Sequence, residues 1–403
     1  MKNIFPGYYK KGDVEIKSMW DNGIIVFDTN VLLNLYRYSD TTRDTIIDLI
    51  KKFSHKIILP HQSALEYNRN RYEVIAEQEK AYKEFLEKID QIQKDLQSTN
   101  KPPFLSERID KELNSTFKDV RREVEESIKK YCDFLKDDPI FNVLSEIFEE
   151  KISDPFSDEE LTDIYKEGES RYKNKTPPGF EDEKNKEGVK KFGDLVLWKH
   201  FIKIASKVNK DIILVTDERK IDWWWKIKDG RTMGPRQELV EEIKTLANVS
   251  FHMYSSERFL SYGQTYLDEQ INQKALEEIQ AMKRAELSTI NELERVKYSE
   301  TKKIEQTNQE LEDKISQIEE EIHLLGTHIN MLRNNKDEGN ENPSLLYQHI
   351  DTLKNRLSHL QRERDQISKE YHYNRTKIFR NRSMNNKSLF FDFNDDNSYK
   401  KDD

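Results

Sequence analysis

The chain has 403 residues, of which 35% are apolar and 35% are charged, and its formal net charge is −9 at pH 7. The apolar share is low for one compact core, but the 18 Tyr, 19 Phe and 5 Trp residues are too many for a chain that is disordered throughout, so we expect one ordinary domain together with long, solvent-exposed helices. The acidic balance excludes a general electrostatic attraction to nucleic acid, and the single cysteine excludes an internal disulfide and a multi-thiolate zinc site.

The sequence predicts a cytoplasmic protein that has no membrane segment. No uninterrupted apolar run approaches the roughly 18 residues of a membrane span. Residues 1–7 lack the apolar core of a signal peptide. We assign residues 1–22 to an N-terminal arm that precedes the first domain.

An α/β domain is predicted over residues 23–257. It opens with the apolar run 23–27, which is typical of a strand buried on both faces. A second predicted strand over 56–60 ends at a proline, and helical sequence lies between the two runs. Two strands separated by a helix are by default a right-handed βαβ unit with parallel strands.

A long insertion of charged, helical sequence is predicted over about 72–175. Its pattern breaks at 100–103, where Asn-Lys-Pro-Pro interrupts the helical periodicity. We therefore expect a helical hairpin inserted into the α/β domain.

The α/β pattern resumes after the insertion. A helix begins at 193, a third strand follows over 211–217, a further helix covers 237–246, and a last strand is predicted over 249–254. The helix at 193 has apolar residues three and four positions apart, which indicates one buried face. The predicted fold class is α/β with a central parallel sheet.

Heptad patterns replace the α/β pattern beyond about residue 258. Two seams have a 4,3 spacing: Leu311, Ile315, Ile318, Ile322, Leu325, Ile329 and Leu332, then Leu346, Ile350, Leu353, Leu357, Leu360, Arg364 and Ile367. A polar loop over 334–343 separates them, which predicts an antiparallel coiled-coil hairpin. We assign 258–382 to this helical module, with self-association or docking to a protein partner as its expected role, and 383–403 to a disordered, Asn/Asp-rich tail.

Four carboxylates are predicted to converge at one edge of the sheet: Asp28, Glu66, Asp194 and Asp217. Asp28 and Asp217 end the first and third predicted strands, while Glu66 and Asp194 lie in the first turns of helices. Ligands of open α/β sheets collect outside the carboxyl ends of the strands. Carboxylates this close raise one another's pKa, and oxygen-only ligands that relieve the repulsion through a cation favour Mg²⁺ or Mn²⁺. Taken singly, each Asp is explained by a turn or a helix cap, and Glu66 by a solvated side chain, so the joint placement is the basis of the prediction.

These residues resemble the PIN-domain ribonuclease superfamily, and specifically a bacterial PIN-like branch with a large helical insertion. The resemblance depends on ordered blocks: Val26-Phe27-Asp28-Thr29-Asn30 with Leu32-Leu33, Pro60-His61-Gln62 with Glu66, Asn70-Arg71, Pro177-Pro178-Gly179-Phe180, Gly193-Asp194-Leu195-Val196-Leu197-Trp198, Val215-Thr216-Asp217, Asp222-Trp223-Trp224 and Gly234-Pro235-Arg236. It covers about residues 23–255 and leaves the coiled-coil module outside. It implies a PIN-like α/β/α sandwich and metal-dependent hydrolysis of RNA phosphodiester bonds.

The resemblance also implies roles for single residues. The catalytic, metal-binding acids carried over are Asp28, Glu66, Asp194 and Asp217, with Mg²⁺ or Mn²⁺ as the cofactor. Asn30 and Thr216 are implied as polar neighbours that orient the ion or its waters. Arg71 and Arg236 are candidates for contacts with substrate phosphates, and neutralisation of the acidic cleft explains them equally well.

Several other readings stay open at this point. Asp222 is a fifth candidate acid, ranked below the four because the tryptophan run 223–225 indicates a helix docked on the core. No G-x-x-x-x-G-K-[ST] phosphate loop is present, so we expect no nucleotide cofactor. The alternatives to a ribonuclease are a catalytically silent PIN-like platform that works through its coiled coil, and a structure-specific or single-stranded DNA nuclease. Analogy with stand-alone bacterial PIN proteins suggests a toxin or a phage-defence effector.

Overall fold

The computed structural model describes residues 1–2, 4–96, 105–184, 186–334 and 343–385. The chain divides into two compact units, Met1–Met282 and Lys283–Asp403. This division falls inside the long helix Gln273–Asn334, whereas the sequence predicts a boundary after residue 257.

Helices dominate the first unit, and short strands lie between them. The helices are α1 (Asp13–Asn22), α2 (Thr29–Asn34), α3 (Asp40–Lys52), α4 (His61–Leu96), α5 (Glu107–Phe134), α6 (Pro139–Phe148), α7 (Asp158–Lys173), α8 (Gly193–Val208), α9 (Gln237–Ala247) and α10 (Ser256–Tyr266). Short 3₁₀ helices cover Pro6–Tyr8, Ser54–Lys56, Phe180–Lys184 and Gly188–Phe192. The strands are β1 (Ile24–Phe27), β2 (Ile212–Val215), β3 (Trp224–Lys226), β4 (Thr232–Pro235) and β5 (Phe251–Tyr254).

Within the described residues, three parallel strands form the central sheet in the order β1-β2-β5. Successive side chains of a strand point to opposite faces, and here they enter two separate buried clusters. Ile25 and Phe27 join the cluster that contains residues of α2, α3, α6 and α10, while Ile24 and Val26 join the cluster formed with α8 and α9. Helices therefore cover both faces, which confirms the predicted α/β/α fold with a central parallel sheet.

The run 56–60, predicted as a strand, contributes only isolated bridges. Ile57 pairs with Ile25, and Leu59 pairs with Ile152, both in parallel orientation. The proline that ends the run cannot donate an N–H to a ladder. Because α4 begins at the next residue, the chain leaves the sheet edge before a regular strand is established.

The expectation of a helix at the tryptophan run is wrong. The run enters β3, which pairs antiparallel with β4. Trp223, which directly precedes β3, is buried and contacts the rings of Trp198 and Phe201 edge-on. Trp224 and Trp225 are only partly buried, because the side chains of an extended segment cannot all point to one core.

The insertion begins with the hairpin of α4 and α5. Arg121 of α5 donates hydrogen bonds to Asp90 and, at 2.9 Å, to Gln93 of α4. The predicted break at 100–103 lies outside the described residues. Helices α6 and α7 follow and lead the chain back to the sheet through the two 3₁₀ helices that precede α8.

The second unit contains the remainder of α11 (Gln273–Asn334) and helix α12 (Pro343–Asn385). Four of the predicted seam residues are deeply buried: Leu311, Ile329, Ile350 and Leu360. Arg356 donates to Glu321 at 3.1 Å, and the rings of His328 and His349 lie 6.2 Å apart. Partner positions rise along α11 as they fall along α12, so the two helices run antiparallel, as the heptad pattern predicts.

Parts of two predicted segments lie outside the described residues. These are 335–342, in the predicted loop, and 386–403, in the predicted disordered tail. Residues 383–385 of that predicted tail belong to α12. In the part of the chain that the structure describes, no helix has the length and apolar character needed to cross a membrane.

Candidate active site

The register of β1 and β2 determines where the site lies. Phe27 pairs with Val215 at the carboxyl ends of the two strands, so Asp28 and Thr216 lie side by side at the edge where open α/β sheets bind ligands. Asp28 is also the N-cap of α2, and its carboxylate accepts the Thr29 N–H at 2.6 Å. The same side chain therefore stabilises the start of a helix and presents a carboxylate at the sheet edge.

Two polar neighbours hold the other oxygen of Asp28. The Thr216 hydroxyl donates to it at 2.7 Å, and the Asn30 side-chain amide donates at 2.8 Å. The Asn30 amide also lies 3.3 Å from the Thr216 hydroxyl oxygen. The structure thus brings both predicted polar neighbours to Asp28.

Glu66 reaches the same edge from the beginning of α4. Its carboxylate accepts hydrogen bonds from the Gln62 amide at 2.5 Å and from the Thr29 hydroxyl at 3.3 Å. A Cβ atom added at Gly193 would lie 3.2 Å from the Glu66 Oε1. A glycine at this position lets α8 begin beside Glu66, which brings Asp194 into the same cleft.

Asp194 enters the cleft from the first turn of α8. Its Oδ2 accepts hydrogen bonds from the Lys220 ammonium at 3.0 Å and from the Trp223 indole N–H at 3.2 Å. Burial raises the pKa of Asp194, while the positive charge of Lys220 acts in the opposite direction.

The carboxylates of the cleft act on one another electrostatically. Burial raises the pKa of Asp28 from 3.8 to about 7, and the hydrogen bond from Thr216 opposes that rise. The negative charges of Asp194, Glu218 and Glu66 add to the rise. Asp28 therefore shares its surroundings with two of the other predicted acids and with Glu218, which the sequence analysis did not single out.

Asp217, the fourth predicted acid, forms its side-chain hydrogen bonds with Ser256 and Asn34. Its carboxylate accepts the Ser256 N–H at 2.9 Å, the Ser256 hydroxyl at 2.7 Å and the Asn34 amide at 2.9 Å. These contacts tie the start of α10 and the end of α2 to the segment that follows β2. The negative charge of the next residue, Glu218, is among those that raise the pKa of Asp28.

Glu218 is held by its own loop. Its N–H donates to the Thr216 hydroxyl oxygen at 3.0 Å, and its Oε1 accepts the backbone N–H groups of Arg219 at 2.7 Å and Lys220 at 3.0 Å. Adjacent side chains that leave a strand point in opposite directions. This alternation indicates that only one member of the Asp217–Glu218 pair can enter the cleft.

Lys220, also not singled out from the sequence, brings positive charge into the acidic cleft. Its ammonium lies 2.9 Å from Asp182, 3.0 Å from Asp194 and 3.2 Å from Glu218. Burial lowers the pKa of Lys220, but the three negative charges outweigh burial and keep the pKa above its usual value. Asp182 is itself buried and forms a second ion pair with Lys186 at 2.6 Å.

A family model described as a PIN-like domain matches residues 24–239, which is more than half of the chain. The chain belongs to the PIN-like domain family. The match begins at β1 and ends in α9, so it contains the acids of the cleft and the helical insertion. The PIN-like fold is of the nuclease type, which agrees with the resemblance stated above. Comparisons with curated proteins and with solved structures give no match.

PIN-like domains typically use a divalent metal ion, and the donors of this cleft fit such an ion in kind. Carboxylate oxygens are the hard ligands that Mg²⁺ and Mn²⁺ prefer. Among the described residues, however, no group of three or more His, Cys, Asp or Glu side chains is spaced so that it could hold a metal ion. The ammonium of Lys220 instead lies against Asp194 and Glu218.

Arg71 is committed to a buried network in this PIN-like domain. Its guanidinium donates to Asp138 at 3.0 Å and to the Tyr72 hydroxyl at 2.8 Å, and it stacks on Phe141. Asp138 also accepts the Tyr36 hydroxyl at 2.6 Å. Arg71 thus joins α4 to the start of α6. Its contact with substrate stays a prediction, and these hydrogen bonds do not support it.

Arg236 and Asp222 also have structural partners. Arg236 is the N-cap of α9, and its Nε lies 3.0 Å from Glu238. Asp222 is fully buried, and its carboxylate accepts the backbone N–H groups of Gly179 at 2.9 Å and Glu181 at 3.0 Å. Burial raises the pKa of Asp222 to about 7. Asp222 therefore anchors the start of the Phe180–Lys184 3₁₀ helix.

Proposed function

We propose that this PIN-like protein is a Mg²⁺- or Mn²⁺-dependent endoribonuclease. The observation that carries the proposal is the convergence of Asp28, Glu66 and Asp194 at the carboxyl edge of β1 and β2 in a domain of the nuclease type. Several desolvated carboxylates in one cleft oppose folding, and such arrangements are found where a site uses their charge. We assign the fourth acidic position to Glu218, and we assign Asp217 a positioning role through Ser256.

The chain's own residues prepare the site for a phosphodiester. Thr216 and Asn30 fix the Asp28 carboxylate, and Gln62 fixes that of Glu66. A bound divalent ion would supply charge neutralisation at the phosphate and would lower the pKa of an attacking water. Because the net charge is −9, we expect local cations, and not bulk charge, to hold the nucleic acid.

The test is a cleavage assay with the purified full chain on labelled RNA, single-stranded DNA and flap DNA, each with Mn²⁺ or with EDTA. We expect RNA cleavage that requires Mn²⁺ and that Asp28→Asn abolishes while the fold persists. Asp163→Asn, on an exposed part of α7, is the matched control and should retain full activity. Undiminished cleavage by Asp28→Asn would contradict the proposed site, and cleavage of DNA alone would replace the ribonuclease by a DNA nuclease.

A catalytically silent platform is the second candidate, because Lys220 already neutralises part of the cleft. In that case the coiled-coil hairpin would be the working part. We propose for this hairpin self-association or docking to a protein partner, since Leu324 and Met331 are large apolar residues exposed outside the buried seam. Sedimentation of the full chain over a concentration series tests self-association. No cleavage of any substrate would favour the platform.

We further propose that the protein acts in the bacterial cytoplasm as a toxin or a phage-defence effector. Induced expression of the wild-type chain in bacteria should arrest growth, and Asp28→Asn should relieve the arrest because the cleft would lose a metal-binding acid. Equal growth inhibition by both chains, at matched protein levels, would contradict a nuclease-based effector.

A further inference from the structure

The placement of Lys220 in the acidic cleft points to a function of its own. Its ammonium contacts carboxylates from three separate segments: Asp182 in the Phe180–Lys184 turn, Asp194 in α8 and Glu218 after β2. An ammonium group has three N–H donors and no acceptor, so three carboxylate partners satisfy it fully. Only 27% of the Lys220 side chain is exposed.

The partners of Lys220 are themselves held in place. Glu218 uses Oε1 for two backbone N–H groups and offers Oε2 to the lysine. Asp194 uses the same oxygen for Lys220 and for Trp223. Asp182 has a side-chain exposure of only 5% and keeps Lys186 as a second cation. The loop thus presents Lys220 as a fixed counter-charge for a cleft that would otherwise be strongly negative.

Lys220 occupies one carboxylate oxygen of Asp194 and one of Glu218, which are two of the acids proposed above to hold a divalent ion. Asp194 and Glu218 cannot give the same oxygen a full interaction with both an ammonium and a metal ion, because the two cations repel each other at contact distance. Asp182 has the least exposed side chain of the three acids, and it can keep the ammonium when the other two contacts are lost.

We propose that the Lys220 ammonium occupies the position beside Asp194 and Glu218 when the site is free of metal, and that it exchanges there with a divalent metal ion. It offsets part of the negative charge of the cleft when no ion is bound, and it withdraws to Asp182 when Mg²⁺ or Mn²⁺ binds. This inference rests on the proposed metal-dependent function. It concerns whether the Lys220 ammonium or a divalent ion offsets the charge of Asp194 and Glu218. Lys220 is a positioning residue in this scheme, because it acts on the acids and not on substrate.

The test is calorimetric titration of Mn²⁺ into the full chain, compared among the wild type, Lys220→Met and Lys186→Met. Lys186 pairs with Asp182 alone among the three acids, so Lys186→Met is the matched control. The Mn²⁺ dissociation constant of Lys220→Met should be lower by about tenfold, because the positive charge of a largely buried ammonium no longer opposes the ion. The control should stay within about twofold of the wild type. A merely structural role for Lys220 would leave Mn²⁺ affinity unchanged or weaken it.

The outcomes separate this inference from the proposed function. Unchanged or weaker Mn²⁺ binding by Lys220→Met, with clear binding by the wild type, would overturn the exchange and leave the nuclease proposal standing. An absence of Mn²⁺ binding in all three chains would overturn both. Tighter binding without RNA cleavage would support the exchange and contradict the nuclease.

A measurement on the wild type keeps the inference testable if Lys220→Met does not fold. Amine-reactive labelling with mass-spectrometric mapping reports the accessibility of each lysine. We expect the labelling rate of Lys220 to rise several-fold on addition of Mn²⁺, because two of its three ion-pair contacts would be released. Lys207, an exposed lysine paired with Asp154, should be labelled equally with Mn²⁺ and with EDTA. Equal labelling of Lys220 in both conditions would overturn the exchange.

Discussion

The negative charge of a buried carboxylate is offset in different ways in the two halves of the cleft, around Asp28 and around Asp194. Around Asp28 the donors are neutral, namely the Thr216 hydroxyl and the Asn30 amide, and the pKa of the carboxyl rises to about 7. Around Asp194 the main donor is the ammonium of Lys220 at 3.0 Å. A proton is therefore the counter-charge available to the first half near neutral pH, and a lysine is the counter-charge of the second.

Because of this difference, the same substitution should have a small effect in the first half and a larger effect in the second. An asparagine at position 28 imitates the protonated acid and leaves the local charge of the metal-free cleft little changed. An asparagine at position 194 removes one partner of Lys220. Because metal ligands must be deprotonated, an ion that binds both halves has to displace a proton from one and a lysine contact from the other.

The largest expected effect concerns which acid of the Asp217–Glu218 pair serves the cleft. Since Glu218 acts on Asp28 and contacts Lys220, Glu218→Gln should lower the single-turnover rate of Mn²⁺-dependent RNA cleavage by about 100-fold or more. Asp217→Asn, which keeps most of the volume and hydrogen-bonding capacity, should stay within about threefold of the wild type.

The free energy of unfolding of the same two variants is the control for this comparison. Asp217→Asn weakens the tie to Ser256 at the start of α10, so it should lower the free energy of unfolding by about 1 kcal/mol. Glu218→Gln should have a smaller effect on unfolding. If Asp217→Asn abolishes cleavage and Glu218→Gln spares it, the assignment made from the sequence is right and the one made from the structure is wrong.

The next effect in size concerns stability without divalent ions. In EDTA at pH 7, Asp194→Asn should lower the free energy of unfolding by about 1–2 kcal/mol, because Lys220 loses a charged partner in a largely buried setting. Asp28→Asn should lower it by a smaller amount, about 0.5–1 kcal/mol, because an amide nitrogen cannot accept the hydrogen bonds that one of the carboxylate oxygens accepts. Urea unfolding followed by circular dichroism measures both. Equal losses in the two variants would remove the distinction between the two halves of the cleft.

Much of this arrangement could be predicted from the sequence because its signals are local. Short runs of β-branched apolar residues indicated the strands at 24–27 and 212–215, and an acid directly after a strand or at a helix start indicated Asp28 and Asp194. Heptad spacing indicated the antiparallel pairing of α11 and α12, because the pattern itself defines the buried seam.

The rest depends on partners that are distant in sequence. The Asp217 carboxylate accepts two hydrogen bonds from Ser256, which lies 39 residues further along the chain. Lys220 is held in part by Asp182, which lies 38 residues earlier in the chain, in the short 3₁₀ helix Phe180–Lys184. The tryptophan run failed as a helix prediction for a related reason, since adjacent aromatic residues have no periodicity that separates a helix from a strand.

The smallest expected effect is the pH dependence of stability in EDTA. The pKa of Asp28 rises from 3.8 to about 7 on folding, so the folded chain binds more protons than the unfolded chain between these values. Stability should therefore fall as pH rises from about 4 to about 7 and level off above that. Because Asp28 keeps some contact with solvent, the difference in Tm between the wild type and Asp28→Asn should change by only about 2–4 °C over this window.

Saturating Mn²⁺ should reverse the trend, since the ion competes with the proton for Asp28. Melting curves of both chains from pH 4.5 to 8 measure this, and a constant difference in Tm across the window would show that Asp28 does not rely on a proton as its counter-charge.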